Sequence, residues 1–387
     1  MTNKEQTTKA SENTKQTISE NASSNVAKTS SEKANRTSFL DKFNILIAKN
    51  VKLVPSITTL ILFVVAYIVG GILFGDIGFV TLRTFFGLFT DNTHLLISAV
   101  GMTLVIISGG IDLSVGSVAA LSTMIIAYGT AFEYGPNMIG MGWPIWFSVF
   151  LALAVGTALG FMMGTLIHVF KVEPFIATLA GMFFARGMCF IISIDSIPIR
   201  DPWFTAVASW RIQFRDFLSV NPNLTVNIEF GIFIFLALLI FSIILMRSTR
   251  MGRNIYALGG SEHSAKLMGL PVKKTRLFVY TFNGFCSALA GVAFALSLRS
   301  GFGRHLIGME LDVIAAVVIG GTLLTGGIGY PLGSMFGVMT TGLIRRFVTF
   351  GNLLSGYARI AVAVLLLIFI VMQRIVVTLA SKNKEHS

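Results

Sequence analysis

The residues able to do chemistry in this chain are few, and they stand in apolar company. Ser108-Gly109-Gly110-Ile111-Asp112-Leu113-Ser114-Val115-Gly116-Ser117 is a polar, glycine-rich break between two long apolar runs, and it carries an acid. Arg186 stands inside another such run, in Phe183-Phe184-Ala185-Arg186-Gly187, and Glu310 and Asp312 lie at the start of a third. In hydrocarbon an unpaired backbone group or a charge is expensive, so each must be buried against protein or face a wet path. Asp112, Ser114, Ser117, Arg186 and Asp312 are the polar residues to place along or beside a path for a small solute. Arg186 needs an acid or carbonyl groups as partner, and Asp112, Glu310 and Asp312 are the candidate acids. Asp112 also suits the start of a helix, where an Asp accepts bonds from free N–H groups. Ser114 and Ser117 follow at the second and fifth positions beyond it, so a cap does not explain the whole polar run.

Signals for catalysis are lacking. The five histidines (94, 168, 263, 305 and 386) have no metal-like spacing to each other or to either cysteine. No Gly-x4-Gly-Lys-Ser/Thr occurs, so the chain carries no phosphate-binding loop of its own. No catalytic residue and no metal site are assigned, and the chain reads as a non-enzyme.

The elements that must position these residues are membrane helices. The chain has 387 residues, 54% of them hydrophobic and only 12% charged, with a mean hydropathy of +0.77; soluble domains carry about a quarter charged residues. Its apolar residues sit in blocks near the ~20 residues that cross a bilayer core. Ten spans fit, at about 55–73, 92–108, 112–132, 146–170, 174–194, 228–246, 277–298, 311–324, 331–344 and 360–375, with an interfacial lead-in over 82–89. The fold class is all-α, a polytopic membrane protein of about ten transmembrane helices. Residues 1–43 are built mainly from Ser, Thr, Asn, Lys, Glu and Ala and read as a disordered tail. A transmembrane domain over 44–377 and a short tail over 378–387 complete the division. Cys189 and Cys286 both fall inside spans and read as small apolar fillers without a disulfide.

The net charge of +12 gathers in the tails and one loop, which argues against nucleic acid and for cytoplasmic flanks of membrane helices. An even number of spans puts both termini and the basic loop 247–276 on the cytoplasmic side. Arg345 and Arg346 then face outward, against the rule. Within the loop, Gly259-Gly260 reads as a turn, Ser261 as an N-cap, and Gly269 with Pro271 as the stop of a short amphipathic helix. That helix is either a membrane-surface element or a docking piece. Glycines recur every fourth residue at Gly156, Gly160 and Gly164, and at Gly329, Gly333 and Gly337, a spacing that lets helices approach closely. There is also an internal echo: 97–117 lies on 314–334 without gaps, matching Gly109/Gly326, Gly110/Gly327, Ile111/Ile328, Gly116/Gly333 and Ser117/Ser334.

Gly101-Met102-Thr103 followed by Gly109-Gly110-Ile111-Asp112-Leu113-Ser114-Val115-Gly116-Ser117 resembles the signature of ribose-type sugar permeases of bacterial ABC importers. Ala257-Leu258-Gly259-Gly260, Ala265 with Gly269, and Val318-Ile319-Gly320-Gly321-Thr322 extend the resemblance over about 55–373. Thr178-Leu179-Ala180-Gly181-Met182-Phe183-Phe184, Ser196-Ile197-Pro198-Ile199 and Gly320-Gly321-Thr322-Leu323-Leu324 make the chain most similar to the second permease of the galactofuranose importer.

The resemblance implies an ABC importer permease fold and a subunit passing a monosaccharide, galactofuranose- or ribose-like, by alternating access across the bacterial cytoplasmic (inner) membrane. It implies a second permease chain (homo- or heterodimer), ABC ATPase subunits that bind ATP and Mg in place of any cofactor here, and an extracytoplasmic sugar-binding protein. It also favours docking for the short helix. Ala265-x3-Gly269 is similar to the coupling motif of ABC importers, with Ser264 where another alanine is usual, so Gly259, Gly260, Glu262, Ala265 and Gly269 are expected to couple to the ATPase. The segment 195–227, with Trp203 and Trp210, is expected to face the binding protein or to be an interfacial piece with aromatic anchors. Two rivals remain open at this point: an ion-coupled secondary transporter using Asp112, Glu310 and Asp312, and a membrane enzyme acting on a lipid or sugar carrier.

Overall fold

The computed structural model describes residues 54–132, 140–218 and 224–385. The expected tail over 1–43 lies outside the described residues. Among the described residues, fourteen α-helices account for most of the chain. The order opens with α1 (Val54–Phe74), α2 (Leu82–Asp91), α3 (Thr93–Ile107), α4 (Val115–Thr130), α5 (Ile145–Val169) and α6 (Pro174–Ile192). A mixed segment follows, with β1 (Ile197–Pro198), α7 (Pro202–Ser209), β2 (Arg211–Arg215) and β3 (Thr225–Glu229). Then come α8 (Phe230–Ser248), α9 (Arg250–Gly260), α10 (Glu262–Leu267), α11 (Val272–Leu298), β4 (Ser300–Gly301), α12 (Met309–Ile319), α13 (Pro331–Phe350) and α14 (Ser355–Glu385).

Each of the ten expected spans appears as a helix, but their lengths differ. Five are long and apolar enough to cross a membrane alone, and α2 with α3 make a sixth, bent by 58° at Asn92. The amide of Asn92 donates to Leu88 O (2.9 Å), holding a carbonyl that the bend releases from the helix ladder. At 1.5 Å per residue, α12 reaches only about 16 Å, roughly half a hydrocarbon core. Its short length comes from the chain on either side, which runs through the bundle without helix. α14 continues to Glu385, so the expected tail over 378–387 is helical as far as the described residues go.

Every residue of α3 except His94 is buried, which makes it the central helix. α11 packs on it and on α5, and there the glycine stripe acts: Gly160 meets Gly284, and Gly156 meets Ala288. Backbones thus touch where a larger residue would hold them apart. On the second stripe, Gly333 and Gly337 lie against Gly320 and the Ala316 carbonyl in the α12/α13 pair, while Gly329 falls before α13 begins. Outward faces of α1, α5, α6 and α8 are apolar and exposed, as Ile61, Phe150, Phe183 and Ile240 illustrate, which suits lipid.

The 195–227 segment contributes to an antiparallel pair of strands, β2 with β3, running from Arg211↔Glu229 to Arg215↔Thr225. Asp216 at its end is buried and accepts from the Leu82 and Arg83 N–H groups (3.3 and 2.9 Å), so an acid from this segment caps α2. β1 pairs antiparallel with β4, Ile197 opposite Gly301, which ties the same segment to the chain beyond α11. Cys189 and Cys286 are free and buried.

Candidate functional site

The echo seen in the sequence is a structural one. α3, the break at 108–114 and α4 form one helix–break–helix unit; α12, the break at 320–330 and α13 form the other. The two breaks meet. Gly327 N donates to Ile107 O (2.8 Å), and the Thr103 hydroxyl donates to the Ser334 hydroxyl (2.6 Å). Gly326, at φ +84°, passes so close to Gly109 that a Cβ on it would lie 3.1 Å from the Gly109 nitrogen.

A third backbone enters this junction. Gly259 packs directly on the Ile107 carbonyl and the Gly327 nitrogen, leaving no room for a side chain. Gly259 and Gly260 are the last helical residues of α9, not the turn expected from their type; close approach, rather than a bend, is what requires glycine at 259. The Tyr256 hydroxyl donates to Gly329 O (2.8 Å), and its burial pushes its pKa up to about 12, so it stays a donor.

From this junction the 110–114 chain runs inward to the start of α4. Asp112 is 1% exposed. Its carboxylate accepts from Ser114 N (2.8 Å), the Ser114 hydroxyl (2.6 Å) and the Asn283 amide (2.8 Å). The Ser117 hydroxyl donates to Ser114 O (2.8 Å). Asp112, Ser114 and Ser117 are therefore one knot just before α4; Ser114 is the N-cap residue, and Asp112 bonds its N–H and hydroxyl rather than the free N–H groups of the helix expected for a capping Asp.

On the opposite side the chain between α11 and α12 also dips into the bundle. Gly301 packs on the Thr123 carbonyl, Gly303 on Cys189, and the Leu306 carbonyl on Gly116. Arg186 holds this descending segment by donating to Gly303 O (2.6 Å) and His305 O (2.8 Å). Carbonyls, not an acid, are its hydrogen-bond partners. Arg186 lies about 18 Å along α6 from Pro174, near the middle of a crossing. The starts of two half-helices, α4 and α12, thus meet deep in the bundle, where Gly116 leaves room for the Glu310 carboxylate: a Cβ there would lie 2.5 Å from Glu310 Oε2. Broken helices meeting near the bilayer midplane build the substrate sites of many transporters.

Around this point stand groups that spacing alone does not single out. Phe294 has His94 and His305 edge-on at 5.0 and 5.2 Å, and Phe302 is edge-on to His305 at 5.4 Å. Asp312 stands apart from this set, ion-paired with Arg345 (2.8 Å). Arg346 pairs with Asp91 (2.6 Å). These pairs account for the two arginines that disagree with the charge rule, because each has an acid from another helix. The three acids of the ion-coupled reading do not converge: Asp112 bonds Ser114 and Asn283, Asp312 bonds Arg345, and Glu310 sits against Gly116.

At the other end, α9 and α10 form a helical pair joined at Ser261, whose hydroxyl accepts from Ser264 N (3.2 Å), as expected of an N-cap. Gly269, at φ +72°, ends α10. Glu262 accepts from Lys266 (2.7 Å) and Arg276 (2.6 Å), and the Lys266 hydrogen bond, then Arg276, hold its carboxyl below its ordinary value. Ala265 is fully buried among Leu258, Leu270 and Val272, so it shapes the pair from within. Leu267 and Met268, missed by motif reading, are the exposed apolar side chains, at 77% and 66%.

Comparison with known proteins agrees with this architecture. Residues 84–373 match the family described as branched-chain amino acid transport system / permease component. The fructose import permease protein FruG of Bifidobacterium longum is 35% identical over 86% of this chain and 94% of its own length. The inner membrane ABC transporter permease protein YjfF of Escherichia coli is 41% identical over 80% and 89%. The ribose import permease protein RbsC of Escherichia coli is 34% identical over 75% and 85%. No solved structure matches the chain. Matched over most of its length in this way, the chain belongs to the branched-chain amino acid transport system / permease component family, among the ribose-type sugar permeases of ABC importers.

Proposed function

We propose that this multi-pass inner-membrane permease passes a furanose-forming monosaccharide, galactofuranose- or ribose-like, inward by alternating access. Fructose and ribose, the sugars in its relatives' names, both form furanose rings. The path runs past the meeting point of α4 and α12, beside Arg186, with the Asp112–Ser114–Ser117 knot setting its inner boundary. A second permease chain completes the membrane unit, both termini face the cytoplasm, and an extracytoplasmic binding protein delivers the sugar onto 195–227, where Trp203 and Trp210 are exposed. ATP and Mg act on partner ATPases, and this chain carries no cofactor.

One observation carries the reading: the end of α9 is wedged between the two glycine breaks, so a push on the α9–α10 pair moves both units at once. Leu267 and Met268 present apolar surface for the ATPase, while Gly260 and Gly269 keep the surface beside them open. The test is uptake of radiolabelled sugar by cells expressing the transporter. Uptake is expected to stop when ATP is depleted and to survive collapse of the ion gradients; the reverse pattern overturns the proposal. Leu267→Asp with Met268→Asp is expected to abolish sugar-stimulated ATP hydrolysis by the assembled complex while leaving its melting temperature unchanged. Unchanged hydrolysis sinks the docking assignment.

A further inference from the structure

Of the buried side-chain atoms without a hydrogen-bond partner, two lie at the meeting point of the half-helices, on the chain that leads into and opens α12. His305 Nδ1 and Glu310 Oε2 are both buried and have no hydrogen-bond partner. Arg186 and Asp112, by contrast, spend their bonds on carbonyls and on neighbouring donors. A buried polar atom left without a partner is destabilising, and the large majority of buried side-chain polar atoms find one. Here two fall on one short segment, on either side of Leu306 and Gly308, both at positive φ (58° and 83°). The segment is held in place by Arg186 and by the β1–β4 pairing.

Their surroundings select a chemistry. Glu310 brings a carboxylate that accepts from two hydroxyls at once, and His305 brings a nitrogen that donates or accepts. The Arg186 guanidinium lies within electrostatic reach of both. The Phe294 ring, flanked by His94 and His305, offers an apolar face for C–H groups. Gly116 lets the carboxylate and the Leu306 carbonyl close directly on the start of α4, where a Cβ would lie 2.5 Å from Glu310 Oε2. A cation has one acid to meet here and an arginine against it. A neutral polyol finds acceptors, a donor and a ring. We infer that Glu310 and His305 are the hydroxyl-reading residues of the sugar path, which rests on the proposed function above.

A competing explanation is structural: an acid in the first turn of α12 stabilises the helix through its dipole. That role needs no burial of the carboxylate, and it makes a different forecast. The experiment uses the assembled transporter in cells, with radiolabelled D-ribose, D-galactose and D-fructose as probes. Competitors are 2-deoxy-D-ribose, 2-deoxy-D-galactose and 2,5-anhydro-D-mannitol, each lacking one hydroxyl. A site built to bond a hydroxyl rejects the analogue without it. Wild type is expected to prefer the parent sugar by at least about tenfold. Glu310→Gln and His305→Phe are expected to raise KM and to shrink that preference several-fold, at unchanged membrane abundance and melting temperature. Glu310→Asp is expected to keep part of the preference. If both variants lose uptake only through Vmax or abundance and retain the wild-type preference, the residues are structural and the inference fails while the transport reading stands. If wild type carries none of the three sugars, the furanose reading fails first and takes this inference with it.

Discussion

The hydroxyls of Thr103 and Ser334, 231 positions apart in the chain, share a buried hydrogen bond of 2.6 Å. It joins the two helix–break–helix units one turn along α3 from the point where Gly327 N meets Ile107 O. Hydrogen bonds between membrane helices contribute about 0.6 kcal/mol on average, and up to about 1.7. Thr103→Val and Ser334→Ala should each lower the melting temperature of the purified permease, and the double variant should melt no lower than the worse single one. Strict additivity of the two losses would mean that the hydroxyls do not act on each other.

Neighbouring glycines at the end of α9 should behave in opposite ways. A Cβ on Gly259 runs into the Ile107 carbonyl and the Gly327 nitrogen, whereas one on Gly260 meets nothing within 4 Å. Gly260→Ala should therefore be neutral or gain up to about 1 kcal/mol, as alanine does in a helix. Gly259→Ala forces three backbones apart and should cost about 1–3 kcal/mol by overpacking, with loss of uptake. Melting curves and uptake on the pair check this, and equal tolerance at both positions would remove the wedge from the mechanism.

Much of this was legible along the chain because the causes are local. Apolar blocks locate every helix that crosses or half-crosses, Pro174 and Pro331 sit in first turns, Ser261 caps α10, and Gly269 ends it. The family signature marks the break at 108–117, where Gly109 at φ +81° and the Asp112 bonds to Ser114 serve the local backbone. What escaped is long-range. Nothing in the spacing of His94, Arg186, Phe294, His305 and Glu310 marks them as neighbours, since they come from α3, α6, α11, the segment leading into α12 and α12 itself. The outward arginines looked anomalous because Asp91 and Asp312 reach them from other helices. Ala265, expected to couple to a partner, packs inside its own loop, which its small size allows and its motif position conceals.

Asp112 sets apart a charge that binds from a charge that builds. Three donors converge on it, and it is buried. In Asp112→Asn the new carbonyl still accepts from Ser114, and Asn283, whose own side-chain oxygen has no partner, can turn to accept from the new amide. Asp112→Ala leaves all three donors stranded at about 1–3 kcal/mol for each buried group. The asparagine variant should fold and retain most uptake, and the alanine variant should lose both abundance and uptake. Loss of uptake in a well-folded Asp112→Asn would restore this acid to the sugar path as a contact in its own right.

Glu262 gives the cytoplasmic pair a pH dependence whose sign follows from its partners. Lys266 and Arg276 both bond its carboxylate and lower its pKa in the folded protein. The ordinary value in an unfolded chain is about 4.3. A group depressed on folding adds stability above its unfolded value and loses it as pH falls through the folded one. Glu262→Gln should thus melt below wild type at pH 7, with the gap narrowing as pH drops under about 4. Because Glu262 is partly exposed, the gap should also shrink in about 0.5 M salt, where screening weakens such pairs. Arg276 lies at the start of α11, so the pair fixes α10 to the helix that also carries Asn283 and Phe294. Melting of both proteins across pH 3.5–7.5 at two salt concentrations measures it. A gap independent of both variables would assign Glu262 to packing or helix propensity, and the ion pairs would then have no part in holding the docking surface.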